Sequence, residues 1–530
     1  MQRSNGERAT RWRAAAGTGA AALALALLLP STPLGAQYPG IPPPPPCRQG
    51  VPARARAVRP TAIAVVYLED LTTRRDDAFL AGALSRRLAE RLRAAGAFPV
   101  VESQKYGADQ IASRRGVQEI GRMLGARWLL AGSVGRVERD VRLQVRLVRA
   151  TDGTTVWQGT RSVALDALPQ AERALVRGIL AAAGVQTTRA RELAGWHDPR
   201  SGGAYEYYLR GSWSLALDTP ESIRAALPLL DSATVLDPGF APASARLALA
   251  YATFLHWGWW DYSVARREAL ADRGLAAADR ALRLDSASAE AWSARGALLA
   301  IRNPRTFAGV RASHQRAVAA DPRGAEPRQW YARALMQLGE DGAAAAQLER
   351  ALAVAPRRAL ALYDLALLRR RQRRTADACA LLDSAITSEP TLAQPYALRA
   401  LERLALEQRR FAWSDAETAG RLGWPLWGAA ASAIVDAGAR DTAAARAAVL
   451  DVLRASARQG DDPAQWTGEL LPMALAAAGE RDRAIAALER AGDAGPALRF
   501  ALRDPLFDAI RRSDRLRKLA AVAAPSPAAR

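Results

Sequence analysis

The chain has 530 residues, half of them apolar and about a quarter charged. That composition buries cores and excludes wholesale disorder, and the length calls for two or more folded units. The formal charge is +21, yet it excludes little and points to no nucleic-acid partner. Lys105 and Lys518 are the only lysines, and the charge is spread as +7, +6 and +8 over residues 1–60, 61–185 and 186–530. With abundant Ala and Gly, the arginine excess reads as a G+C-rich coding bias. Arginines that alternate with Asp and Glu on helical faces read as a solvated surface.

The basic residues Arg3, Arg8, Arg11 and Arg13 precede an uncharged stretch, Ala14 to Leu29, then Pro30 and Leu34-Gly35-Ala36. This tripartite start predicts a signal peptide over residues 1–36, cleaved before Gln37, and so a periplasmic or cell-surface protein. The apolar stretch is shorter than the roughly 20 residues of a spanning helix, so no stable membrane span is expected once it is removed. Retention as an inner-membrane anchor is the alternative. Residues 37–60, with Pro42 to Pro46, predict a stiff extended linker. The two cysteines offer neither a disulfide framework nor a metal spacing. Cys47 lies in the proline-rich linker and Cys379 on an apolar helical face, which places them poorly for pairing.

Residues 61–185 predict a small α/β sandwich domain with helices on one side of a mixed sheet. Ile63 to Leu68 is an apolar run fit for a buried strand. Asp76 to Ala95 carries Phe79, Leu80, Leu84, Leu88 and Leu92 at helical spacing, closed by Gly96. Pro99-Val100-Val101 follows as a short strand, and Val117 to Leu124 as a helix ended by Gly125. Trp128 to Ala131 and the alternating Val141, Leu143, Val145 and Leu147 are strands. The Asp152-Gly153 turn leads to a returning strand, Thr155 to Val163, and a last helix covers Leu168 to Ala183.

The segments Ile63-Ala64-Val65, Glu119 to Val134, Thr151-Asp152-Gly153 and Trp157 resemble the TolB amino-terminal-like domain. The segment Ala204-Tyr205-Glu206-Tyr207-Tyr208-Leu209-Arg210-Gly211 resembles the junction that joins such domains to tetratricopeptide repeats in bacterial regulators, cyclases and kinases. The pattern departs at Tyr67-Leu68, where the family has Pro-Phe, and a signal peptide stands in place of a regulatory effector module. The resemblance implies a binding or regulatory role, the alternative function being a membrane-tethered sensor or output module.

After a linker, residues 186–203, internal repetition dominates residues 204–520. Pro322, Pro356 and Pro390 are spaced by one tetratricopeptide period. Small residues recur where paired helices approach: Ala332, Ala344 and Ala351 with Leu335 and Leu348, then Ala366, Ala378 and Ala385 with Leu382, and Trp292, Gly296 and Ala317 in an earlier unit. The expected architecture is an α-solenoid of seven or eight helix pairs. A capping helix runs from Asp504 to Leu519, and residues 521–530 form a flexible tail.

No catalytic constellation emerges, and neither an enzyme nor a cofactor or metal is expected. Ala131-Gly132-Ser133-Val134-Gly135 approximates a nucleophile elbow, but strand rather than helix follows it. The three histidines, His197, His256 and His314, are scattered. The expected function is an exported protein-interaction scaffold. Its candidate partner-binding residues are the first-helix arginines Arg295, Arg328, Arg333, Arg369, Arg370, Arg399 and Arg403, suited to an acidic or carboxylate-bearing peptide. The aromatic insertion with Trp257, Trp259 and Trp260 joins them as a second candidate surface.

Overall fold

The computed structural model describes residues 46–47, 62–72, 77–103, 113–138, 140–185, 198–256, 264–302, 307–422, 431–436, 470–490, 504–508 and 513–522, with isolated helical positions between 443 and 447. The expected signal peptide, most of the 37–60 linker, His197 and Trp257, Trp259 and Trp260 lie outside the described residues.

The first unit contains strands β1 (Ala62–Val66), β2 (Glu69–Asp70), β3 (Val100–Ser103), β4 (Ala126–Val137), β5 (Asp140–Arg149) and β6 (Thr155–Ala164). Its helices are α1 (Phe79–Ala94), α2 (Arg114–Leu124) and α3 (Leu168–Ala182). The sheet runs β3-β1-β4-β5-β6, with β2 beside β4. β1 pairs in parallel with β3 and β4, and β4, β5 and β6 form an antiparallel meander. The alternation at Val141, Leu143, Val145 and Leu147 puts all four into one core with α1 and α3. Helices cover both faces, not one as expected. Ile63 and Val65 face that same core, while Ala62, Ala64 and Val66 pack with Val117, Ile120 and Leu124 of α2. An unbroken apolar strand needs cover on both sides, and that is what β1 receives.

The repeat array follows as helix pairs: α4 (Gly202–Ala216) with α5 (Pro220–Leu236), α6 (Ala241–His256) with α7 (Val264–Leu284), and α8 (Ala289–Arg302) with α9 (Phe307–Ala320). Next come α10 (Ala325–Leu338) with α11 (Asp341–Val354), α12 (Ala359–Arg371) with α13 (Thr375–Ser388), and α14 (Ala393–Ala405) with α15 (Arg409–Arg421). A further pair, α16 (Leu470–Ala477) and α17 (Arg481–Arg490), precedes α18 (Asp514–Val522). First helices of neighbouring pairs also pack side by side. The small and large residues of the repeat pattern sit at these contacts: Ala332, Ala344, Ala351, Leu348, Ala366, Ala378, Ala385 and Leu382 are fully buried. One pair cannot cover its own apolar face, so stacking supplies the stability. Gly211 shows how tight the first pair is, because a Cβ there would stand 2.6 Å from Leu230 Cγ on α5.

Two long-range features depart from the expected chain of separate units. First, a single apolar core joins α1 and α3 to α4 and the following helices. Second, Cys47 and Cys379 form a disulfide, with Cα atoms 6.0 Å apart, where poor placement for pairing had been expected. Separation along the chain is no measure of separation in space.

Candidate functional site

The arginine row divides into two classes. Arg333, Arg370, Arg399 and Arg403 are buried and held by this chain's own carboxylates. Arg333 Nε meets Asp364 at 2.8 Å. Arg370 joins Glu402 at 2.6 Å and Asp504 at 2.7 Å, so the carboxy-terminal segment supplies the acidic group that a foreign peptide was expected to bring. Arg399 donates twice to Asp415, at 2.9 and 2.7 Å, and once to Asp383 at 2.7 Å, and Arg403 meets Asp415 at 2.9 Å. These four are corrected from partner-binding to structural residues. Removing one member of such a pair costs about 3–5 kcal/mol because the other charge stays buried.

Arg295, Arg328 and Arg369 form the second class, half-buried on the first helices α8, α10 and α12. Arg295 meets Asp279 at 2.9 Å and Arg369 meets Glu349 at 3.1 Å, both through carboxylates about half exposed. Arg328 donates to the Pro322 carbonyl at 2.7 Å.

Sequence reasoning missed the junction between the first unit and the array. Its signal was present in α1, whose buried face carries charges as well as leucines. Gly82 lies directly beneath the ring of Trp213 on α4, and the Arg210 guanidinium stands 4.4 Å from the centre of the Phe79 ring. Glu90 is the hub: it pairs with Arg246 of α6 and accepts from the Tyr208 hydroxyl at 3.3 Å. Arg246 Nε also meets Glu290 of α8 at 2.8 Å. Glu172 of α3, fully buried, takes Arg91 at 2.6 Å and the Tyr205 hydroxyl. Burial raises the Glu90 carboxyl, but Arg246 and Arg87 outweigh it and hold the group down at about 2. Glu290 goes the other way, up to about 7, because burial and the neighbouring Glu90 and Glu326 outweigh Arg246.

The remaining candidates are structural. Ser133 lies within β4 opposite Gln144. His314 is buried against Gly296 and stacks on Tyr331 at 5.7 Å, and burial lowers its imidazole to about 3. His256 packs edge-on against Trp330 at 5.5 Å, and burial, then Arg333, lowers it well below the usual range. Among the described residues no group of three His, Cys, Asp or Glu side chains is placed to hold a metal. Nor is any helix among them long and apolar enough to cross a membrane.

No protein-family model matches the chain. A putative adenylate cyclase 3 from Rhizobium meliloti (strain 1021) is 24% identical over 193 residues, which are 36% of this chain and 32% of that protein. The chain thus spans about a third of the curated relative it matches. Solved structures with similarity include a thermophilic TPR protein of Thermus thermophilus, at 18% identity. The match covers 38% of this chain and 99% of that one, with a TM-score of 0.32. Yeast Tom70 is 14% identical, with coverage of 66% and 77% and a TM-score of 0.36. The helix-pair fold of this chain stands on its own packing.

Proposed function

We propose that the chain is an exported scaffold, acting in the periplasm or at the cell surface, that binds a protein or peptide partner bearing acidic side chains through its repeat array. The observation that carries this reading is the rim formed by Arg295, Arg328 and Arg369 on three successive first helices. Their charged partners are exposed carboxylates, and their other hydrogen bonds go to a main-chain carbonyl and to the neutral side chains of Ser313, Gln347 and Gln372. An exposed ion pair is worth about 1 kcal/mol or less, so a partner's carboxylate replaces it at small cost. The first unit contributes by docking on the array, and its TolB amino-terminal-like character is part of the proposal. The segments that carry that resemblance lie in β1, the second half of α2, most of β4, the β5–β6 turn and β6. Export is supported by the tripartite start and by a disulfide, a bond that persists in oxidising compartments. No enzymatic step is proposed.

The test replaces Arg295, Arg328 and Arg369 together with Ser in the full chain, against a partner captured by crosslinking in intact cells. Affinity should fall several-fold at low salt, and its dependence on ionic strength should flatten, since screening acts over roughly 8 Å at physiological strength. Unchanged affinity and unchanged salt dependence would refute the rim.

A further inference from the structure

We infer that the α13–α15 face of the array is a binding site for a peptide main chain, filled by this chain's own segment at Cys47 and closed by the Cys47–Cys379 disulfide. Cys47 is only 6% exposed, and both of its main-chain groups are met by the array. Its N–H donates to Asp383 Oδ2 at 2.8 Å, and its carbonyl accepts from Gln408 Nε2 at 3.1 Å. Cys379 and Asp383 are four residues apart on α13 and therefore share a face. Gln408 immediately precedes α15. One residue of the segment is thus held at its nitrogen and sulfur by α13 and at its oxygen by the residue that precedes α15. A disulfide by itself needs only the sulfur.

The carboxylate that reads the main-chain N–H is itself held in place. Asp383 keeps one oxygen on Arg399 at 2.7 Å and offers the other to Cys47. Arg399 is gripped by both oxygens of Asp415, and Arg403 braces the same Asp415. Arg399 and Arg403 are positioning residues for this clasp. They support a group that recognises peptide backbone and do not meet a ligand themselves. Main-chain contacts bind backbone without reading side chains, so the ligand class is a peptide main chain, here supplied in cis. The clasp uses none of the three arginines proposed for a partner, and its test contains no partner. It can therefore fail or succeed independently of that proposal.

Closure is a thiol–disulfide exchange. The two cysteine thiols give up two protons and two electrons to a disulfide oxidant such as oxidised glutathione, whose S–S bond is cut to two thiols. A glutathione buffer series on the full chain, quenched by alkylation and read by mass, gives the effective concentration of Cys47 at Cys379. Gln408→Ala should lower that value roughly three- to tenfold, the worth of one hydrogen bond, and Asp383→Ala by at least as much. As a second reading, Cys379→Ser prevents the bond. The Cys47 amide should still exchange more slowly than in Cys379→Ser/Gln408→Ala. An effective concentration unmoved by Gln408→Ala, equal exchange in the two bond-free variants, or free thiols in the fully oxidised chain would each overturn the inference.

Discussion

Gly82→Ala sets two effects of opposite sign against each other at the junction. Gly82 lies inside α1, where Ala is favoured over Gly by about 1 kcal/mol. A Cβ at this position, however, would overlap Cζ3 and Cε3 of Trp213 and stand 2.8 Å from its Cη2. The same ring packs against Tyr67, with ring centres 6.2 Å apart. Forcing such an overlap costs about 1–3 kcal/mol, so Gly82→Ala should leave stability unchanged or lower it by up to about 2 kcal/mol. In a Trp213→Ala background the clash disappears, and the same substitution should stabilise by about 1 kcal/mol. The coupling between the two sites is then the clash itself, about 1–3 kcal/mol. Urea denaturation followed by circular dichroism on the four proteins of the cycle measures it. An equal gain from Gly82→Ala in both backgrounds would show that α1 does not rest on Trp213, and the docked arrangement would be wrong.

Glu290→Gln should change stability with a definite pH sign. A carboxyl raised in the folded chain costs stability while charged, and the cost is relieved as pH falls from about 7 towards the ordinary value near 4.3. The variant should therefore gain in Tm relative to the parent at pH 8 and lose that gain at pH 5, as read by calorimetry; the opposite trend would contradict the reading of the Glu90–Arg246–Glu290 cluster. For export, mass spectrometry of the fractionated protein should find a mature chain beginning at Gln37, and retention of residues 1–36 would favour the anchored alternative.

Local periodicity made most of the fold legible. The alternation of Val141 to Leu147 predicts a strand that the structure extends to Asp140–Arg149, and the regular proline spacing predicts helix pairs that the structure contains. What sequence could not show is which distant groups meet. Arg370 finds Asp504 across 134 residues, and Cys47 finds Cys379 across 332. Neither distance leaves a periodic trace. The arginines looked alike in sequence because their chemistry is alike, and burial alone separates Arg399 and Arg403 from Arg295 and Arg369. A partial signal did exist. Arg295–Asp279 and Arg399–Asp383 share a sixteen-residue offset, the mark of an ion pair between the second helix of one pair and the first helix of the next. The covered second face of the sheet was legible too, in the unbroken apolar run of β1. The charges on the buried side of α1 had the same meaning as its leucines, since buried charges in a folded chain are paired.

The first unit and the array form one packed body rather than two units on a string. Hydrogen exchange on the oxidised full chain tests this most directly, comparing α1 with α4 and α6 in the parent and in Gly82→Leu. In the parent, α1 amides should be protected as strongly as those of α4, and in the variant α1, α4 and α6 should lose protection together. Protection of α4 and α6 that is indifferent to Gly82→Leu would contradict it.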